Sequence, residues 1–435
     1  MRLLLSLAAA GLFAAAPVHI VQSGFTAGPD GAPEGWRTWA PRAEIAPRTF
    51  VDRVHFRTRA GALAISGNGN AGEHGGWVYD VGAIEPRAWY RFTAYYRSIG
   101  VPHESLQILP RVEWKTGKDK RAGRAEYPYQ TSRDGDWNRV TADVQAPPKA
   151  SSATLQLYLS NAPQGTVWWD DVSFEQIPAP APRLVTIASV NLRPSGTKSS
   201  AESVHQFVTA ADTTIHGKVD VILLPEAITL IGTGKSFLEV SETIPGPTTA
   251  TLGELARRRS SYIVAGIMER EGAILYNTAV LIDRHGDVAG RYRKVYLPSA
   301  EVEGGLTPGN EYPVFQTDFG TIGLMICYDV MFPDPAHALA RQGAEIILLP
   351  IWGGDETLAK ARAIENKIFL VASGYDHPTY IMDPDGNRIA SAPKNGDVAI
   401  STVDLNKRWW DPQLGDMRAR RVKEQRVDVK LPDRP

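Results

Sequence analysis

Three residues able to take part in amide chemistry each follow a stretch that reads as β-strand or hairpin. Glu226 comes after Val221-Ile222-Leu223-Leu224-Pro225, Lys294 after the hairpin around His285-Gly286-Asp287, and Cys327 after Ile322-Gly323-Leu324-Met325-Ile326. A thiol with an ordinary pKa near ~8.5 is a poor nucleophile at neutral pH until a base or a cation stands beside it. Glu226 suits the base. Lys294 suits the partner that steadies the thiolate and the oxyanion formed when a carbonyl is attacked. Singly, none of the three is decisive: a carboxylate after a strand is more often a cap, a lysine within Arg291-Tyr292-Arg293-Lys294 more often a solvated charge, and a free cysteine more often a small buried hydrophobe. Together they supply a nucleophile, a base and an oxyanion partner. Histidine is the usual base for a thiol, yet none of His285, His337 and His377 stands in a protease-type setting, so a Cys–His dyad is less favoured. Ile326-Cys327-Tyr328-Asp329 reads as a strand-to-helix elbow, a turn that exposes a nucleophile at a sheet edge and aims the Tyr328 N–H into an oxyanion hole.

Such groups need strands to carry them. From Leu184 onward, apolar runs alternate with helical spacing, the pattern of an α/β domain with buried strands that presents its site at their C-terminal ends. Strands are expected near 185–190, 219–224, 260–267, 279–283, 322–326, 345–349 and 369–372, and helices near 201–211, 253–259, 335–342 and 357–366. Upstream the texture differs. Residues 22–177 carry short alternating stretches, such as Tyr90-Arg91-Phe92-Thr93-Ala94-Tyr95, broken by Gly, Pro, Asn and Asp, which predicts an all-β sandwich. Most of the tryptophans fall in that half, and at this domain size most are expected in its core. The alternating Pro–Ala run over residues 178–183 favours extended geometry and reads as a semi-rigid linker between the two domains.

The second domain, 184–435, resembles the nitrilase superfamily of carbon–nitrogen hydrolases. The likeness is carried by Leu224-Pro225-Glu226, Tyr292-Arg293-Lys294 and Gly323-Leu324-Met325-Ile326-Cys327-Tyr328-Asp329. Tyr276-Asn277-Thr278, Leu306-Thr307-Pro308-Gly309, Phe332-Pro333-Asp334, Arg362-Ala363-Ile364-Glu365-Asn366 and Asp383-Pro384-Asp385-Gly386 support it. The resemblance implies an αββα sandwich that forms a homo-oligomer, with Glu226 as general base, Lys294 as oxyanion stabiliser and Cys327 as nucleophile. It also implies a thioester intermediate, no cofactor and no metal. It implies a second glutamate after the lysine, for which Glu301 and Glu303 are candidates; Glu303 is preferred for its distance to Pro308-Gly309. The nitrile-hydrolysing branch resembles Cys-Trp-Glu at the nucleophile, whereas this chain has Cys327-Tyr328-Asp329, so a small-molecule amide is the expected substrate. The first domain is more loosely similar to jelly-roll carbohydrate-binding modules, through Gly35-Trp36, Gly75-Gly76-Trp77 and the closing stretch over residues 165–174. That likeness implies contact with a glycan or cell surface. Asp170 and Asp171 are equally consistent with a structural Ca²⁺ site and with a strand-end turn.

Composition sets the outer limits. With 435 residues, 43% of them hydrophobic, the chain can bury two cores, and a formal net charge of −1 gives no field to draw in nucleic acid. Met1-Arg2 followed by an apolar run to Val18 and an Ala-x-Ala site predicts a signal peptide over 1–21, hence an exported protein. One cysteine excludes an internal disulfide, and in an exported chain its retention invites a chemical explanation. Three functions fit: an amidase, a surface- or glycan-binding protein with a vestigial hydrolase domain, and an N-acyltransferase using the same thioester.

Overall fold

The computed structural model describes residues 19–117, 120–375 and 379–429. The predicted signal peptide falls mostly outside them. Its last residues do not: His19–Gln22 is strand β1 of the first domain, paired antiparallel with a strand that ends at Ile177, so the sandwich begins before Gln22.

The chain divides into two compact units, residues 1–180 with 410–435, and residues 181–409. The first unit continues with β2 (Trp36–Trp39), β3 (Arg48–Asp52), β4 (Ala62–Ser66), β5 (His74–Val81), β6 (Trp89–Ile99) and β7 (Ile108–Thr116). Then come β8 (Lys120–Arg121), β9 (Gln130–Asp134), β10 (Trp137–Gln145), β11 (Ser152–Ser160) and β12 (Thr166–Ile177). They form two antiparallel sheets, β3-β4-β12-β6-β10-β9 with β1 added on β12, and β2-β5-β11-β7-β8. Alternation along β6, β7 and β11 sends every second side chain inward, and Ile65, Trp77, Tyr90, Phe92, Trp114, Leu157, Trp169 and Phe174 from both sheets share one core. Trp36, Trp137 and Trp168 are buried too, while Trp39 stays 39% exposed.

Asp170 and Asp171 are occupied by the chain's own donors. Asp170 accepts the N–H groups of Arg57 and Asp171, each at 2.8 Å, and Asp171 takes Arg57 Nη1 at 2.5 Å and the Thr58 hydroxyl at 2.7 Å.

The second unit opens on β13 (Leu184–Val190), β14 (Val221–Leu223), β15 (Tyr262–Glu271), β16 (Ile274–Ile282) and β17 (Val288–Arg293). It continues with β18 (Val314–Gln316), β19 (Thr321–Leu324), β20 (Ile346–Pro350), β21 (Phe369–Ser373), β22 (Thr379–Met382), β23 (Arg388–Ala392) and β24 (Val398–Asp404). Two six-stranded sheets result, β17-β16-β15-β14-β13-β24 and β18-β19-β20-β21-β22-β23. Val185, Leu223 and Val264 of one sheet meet Leu324, Leu348 and Val371 of the other in a central core. The outer face of the first sheet is covered by α1 (Ser200–Thr214) and α2 (Pro247–Arg259), through Phe207, Leu252 and Leu255. The short α3 (Ser299–Glu303) lies at the site described below. Helices α4 (Asp334–Arg341) and α5 (Glu356–Asn366) cover the second sheet through Ala336, Leu339, Ala359 and Ala363. This is the expected αββα layering.

One boundary differs from expectation. Residues 410–429 pack with the first unit, not with 184–409: helix α6 (Met417–Glu424) buries Ala419 and Lys423, and the Lys423 ammonium donates to the Ile108 carbonyl at 3.1 Å. The tail is too charged to show an apolar periodicity, so nothing local marks where it docks. Lys423 hides its aliphatic stem and caps one carbonyl, and burial lowers its pKa to about 8.

Candidate active site

The strands of the two sheets in the second unit place the predicted chemistry at their ends. Parallel strands β13, β14 and β15 bring Glu226 to the edge three residues past β14. Lys294 follows β17 directly, and Asn277 projects from β16. From the second sheet, β19 leads into Cys327, β20 into Trp352-Gly353 and β21 into Tyr375.

Glu226 and Lys294 are almost fully buried, at 2% and 1% exposure. The Lys294 ammonium donates to Glu226 Oε1 at 2.9 Å and to Glu301 Oε1 at 2.8 Å. Asn277 Nδ2 bridges the same two carboxylate oxygens, at 2.7 Å and 3.0 Å. The remaining oxygens, Glu226 Oε2 and Glu301 Oε2, are buried with no protein partner among the described residues. An unpaired buried carboxylate oxygen costs stability unless it is kept for use, and here it leaves Glu226 with an acceptor for an incoming proton. Burial by itself would lower the pKa of Lys294, but the charges of Glu226, Cys327 and Glu301 overcome that and hold it above the ordinary range. Burial, with the neighbouring charge of Glu226, raises Glu301.

The glutamate that meets Lys294 is Glu301, not Glu303, the one preferred from spacing. Glu301 faces inward from α3 onto Lys294, whereas Glu303, two residues on, is exposed. Two positions along a helix are separated by roughly 200° of rotation at ~3.6 residues per turn, so only one of the pair can face the site. The spacing to Pro308-Gly309 does not reveal which.

Cys327 starts the 3₁₀ turn Cys327–Met331 with φ of 42°, a left-handed conformation that costs a non-glycine residue about 1–3 kcal/mol. Asp329 holds this strained elbow. Its fully buried carboxylate accepts the Ile326 N–H at 2.9 Å, the Tyr296 N–H at 3.0 Å and the Tyr292 hydroxyl at 2.8 Å. Arg362 clamps the far end, donating to the carbonyls of Val330 at 3.2 Å and Met331 at 3.3 Å while pairing with Glu365 at 2.9 Å. Tyr328, whose N–H is the expected oxyanion donor, follows the nucleophile immediately, its side chain turned to solvent.

The Cys327 Sγ lies 3.3 Å from the Gly353 carbonyl. Its pKa is pushed up to about 12, first by burial and then by the charge of Glu226, against the pull of Lys294 and of hydrogen bonds from the Trp352 and Gly353 backbone. Burial thus favours the thiol form, and attack on a carbonyl requires its proton to leave. Ala227, with φ of 53°, turns the chain sharply after Glu226, and the Tyr375 hydroxyl donates to the Glu226 carbonyl. Asn277 and Asp329 sit inside motifs already singled out, although not for these contacts, and Tyr375 lies in none of them.

The carbon–nitrogen hydrolase family matches residues 186–408. Similar proteins include omega-amidase NIT2 of Homo sapiens, 29% identical over 43% of this chain and 77% of the relative. A probable nitrilase of Schizosaccharomyces pombe is 34% identical over 43% of this chain and 76% of its own length. The deaminated glutathione amidase of Synechocystis is 31% identical over 52% of this chain and 93% of its own length. Among solved structures, Nit3 of Saccharomyces cerevisiae is 22% identical, covering 51% of this chain and 90% of its own, with a TM-score of 0.45. With the family match over residues 186–408 spanning both site-bearing sheets, and with the Schizosaccharomyces pombe and Synechocystis relatives 34% and 31% identical over 76% and 93% of their own length, the chain belongs to the carbon–nitrogen hydrolase family.

Proposed function

We propose that the protein is an exported amidase that cleaves a small, non-peptide amide through a thioester on Cys327. The observation that carries this is the junction of Glu226, Glu301 and Lys294 in one buried hydrogen-bonded group with Cys327 within its electrostatic reach. The amidase relatives support the substrate class.

Cys327 Sγ attacks the amide carbonyl as its proton passes to Glu226, which suits a thiol whose pKa burial holds above the ordinary value. The oxyanion is met by Lys294 and by the Tyr328 N–H. An ammonium has three N–H bonds, two of them given to Glu226 and Glu301, which leaves one for the developing charge. The C–N bond breaks, the amine departs with the proton from Glu226, and the acyl group stays on sulfur. Water then loses a proton to Glu226 and attacks the thioester, releasing a carboxylic acid and restoring the thiol. Glu301 and Asn277 keep Lys294 and Glu226 in place.

Intact-mass measurement of the wild type, quenched in acid during turnover of an amide panel, is expected to show acyl adducts that are absent from Cys327→Ala. Wild-type release of ammonia or amine that persists undiminished in Cys327→Ala rules the reading out. Amide products formed with an added amine, in place of carboxylate, point to acyl transfer instead.

Export rests on the Met1-Arg2 and Leu3–Val18 pattern, and N-terminal sequencing of the mature protein tests it. For the first unit we propose a tethering role on a glycan. Support comes from a cleft of about 330 Å³ on the outer face of its five-stranded sheet, where Trp39 stacks on Tyr158 at 5.1 Å beside Arg37, Arg111, Glu113 and Gln156. Retention on immobilised polysaccharides that Trp39→Ala fails to weaken counts against it.

A further inference from the structure

Strand register sets out the cleft of the first unit in rows. Arg37, Val78, Gln156 and Arg111 form one row across β2, β5, β11 and β7. Trp39, Gly76 and Tyr158 form the next, and with no side chain at Gly76 the Trp39 ring stacks on Tyr158 while staying 39% exposed. Asp80, Thr154 and Glu113 form the row on the other side. Four cations line the cleft, Arg37, Arg111, Lys115 and Arg121, and two carboxylates answer three of them. Asp80 pairs with Arg37 at 3.2 Å and with Lys115 at 3.6 Å, and Glu113 pairs with Arg121 at 2.8 Å. Arg111 is left over. Among the described residues its guanidinium has no ion pair and no hydrogen bond: the Tyr127 ring lies 5.2 Å away, and the buried Nε has no partner. Beside it in the row stands a second unused group. Gln156 is 7% exposed, its Nε2 donates to Glu113 at 3.1 Å, and its Oε1 is buried without a partner. Buried polar atoms left unpaired cost stability, and here a donor and an acceptor are both held unused at one cleft.

We propose that this cleft takes a carboxylated polysaccharide, a polyuronate, with one carboxylate held by Arg111, a ring hydroxyl donating to Gln156 and the C–H face of a ring against Trp39. The proposal rests on the glycan-tether reading of the first unit and names the chemistry of its ligand. Charge motivates it: four cations stand against Asp80 and Glu113, a surplus of two, in a chain whose formal net charge is −1. The surplus is local to the cleft, and a neutral sugar gains nothing from it. A guanidinium stays charged at any working pH, and its planar fork matches a carboxylate. The exposed Trp39 face favours a sugar ring over an acidic peptide, whose Asp and Glu side chains bring charge but no flat apolar face.

The test is calorimetric binding of the full chain, at one fixed ionic strength, to polygalacturonate, alginate and hyaluronate, each beside the same polymer with its carboxylates reduced to alcohols. Wild type is expected to bind at least one carboxylated polymer about 10-fold or more tightly than its reduced form, the scale of a hydrogen bond to a charged group. Arg111→Gln is expected to erase that difference with an unchanged Tm. Arg111→Lys, which keeps the charge and loses the planar fork, retains part of the difference, and it carries the comparison should Arg111→Gln melt early. Trp39→Ala is expected to weaken both forms alike. Equal affinity for the carboxylated and reduced forms, or a preference that survives Arg111→Gln, overturns the proposal and leaves the glycan tether standing. Polyglutamate bound as tightly as the best polyuronate points to an acidic protein and overturns it too. If neutral polysaccharides bind and no polyuronate does, the proposal alone falls; if no polysaccharide of either kind binds, the tether reading falls with it.

Discussion

Two residues two positions apart, Glu301 and Glu303, have opposite fates, and their difference is measurable. Glu301→Gln replaces a carboxylate that accepts from Lys294 and Asn277, leaving Lys294 with less negative charge around it. Its kcat/KM is expected to fall by about 100-fold, on the scale of losing a charge-assisted contact in the catalytic group, while Glu303→Gln stays within about two-fold of wild type. Steady-state kinetics on one amide suffices to compare them. Asp329 offers a pH test. Burial raises its pKa from 3.8 to about 6, so the folded state holds this proton more tightly than the unfolded state does. Its contribution to stability is full below the unfolded value and is lost as pH rises through about 6. The Tm difference between wild type and Asp329→Asn is therefore expected to drift against wild type from pH 4 to pH 7. Melts at intervals across that range measure it, and a flat difference contradicts the assignment.

Strands and turns set the position of these groups within narrow tolerances. Gly266 on β15 passes so close to the turn after β14 that a Cβ there would stand 2.6 Å from Glu226 Cα and 2.9 Å from the Ala227 nitrogen. Gly266→Ala is expected to push Glu226 off Lys294, lowering kcat at least 10-fold and stability by about 1–3 kcal/mol, as overpacking against backbone does. Kinetics and a denaturant melt on the one variant read both effects. The strained φ values of Ala227 and Cys327 belong to this scale as well. Neighbours hold them in place: the Tyr375 hydroxyl behind Glu226, and Asp329 with Arg362 around the nucleophile.

At the scale of the whole chain, every residue placed in the catalytic group lies within 181–409, while the last segment, 410–429, belongs with the first unit. Deleting residues 410–435 strips Ala419 and Lys423 from that unit and exposes the Ile108 carbonyl. The deletion is expected to cost the first unit about 1–3 kcal/mol, the range for losing a buried contact set, and to leave amide hydrolysis within about three-fold of the full chain. Calorimetry resolving two transitions, with only one of them lowered, is the expected record. Loss of hydrolysis without a change in either transition speaks against this division of labour.

What could be read from sequence followed local rules. The apolar runs ending in Glu226 and Cys327 specify buried parallel strands, the Pro–Ala run separates two textures, and the motifs around Glu226, Lys294 and Cys327 carry the likeness to carbon–nitrogen hydrolases. Periodicity of two and of 3.6 residues, and the conformational limits of Pro and Gly, act on neighbours along the chain, so the sequence alone settles them. Other choices depend on groups distant in sequence. Glu301 over Glu303 depends on which face of α3 meets Lys294; Asp329 as the brace of the elbow depends on Tyr292 and Tyr296 arriving from the other sheet. Lys423 on Ile108 joins two residues separated by 315 positions. Desolvation and hydrogen-bond geometry select among side chains of equal local propensity, and these exist only once the sheets have packed.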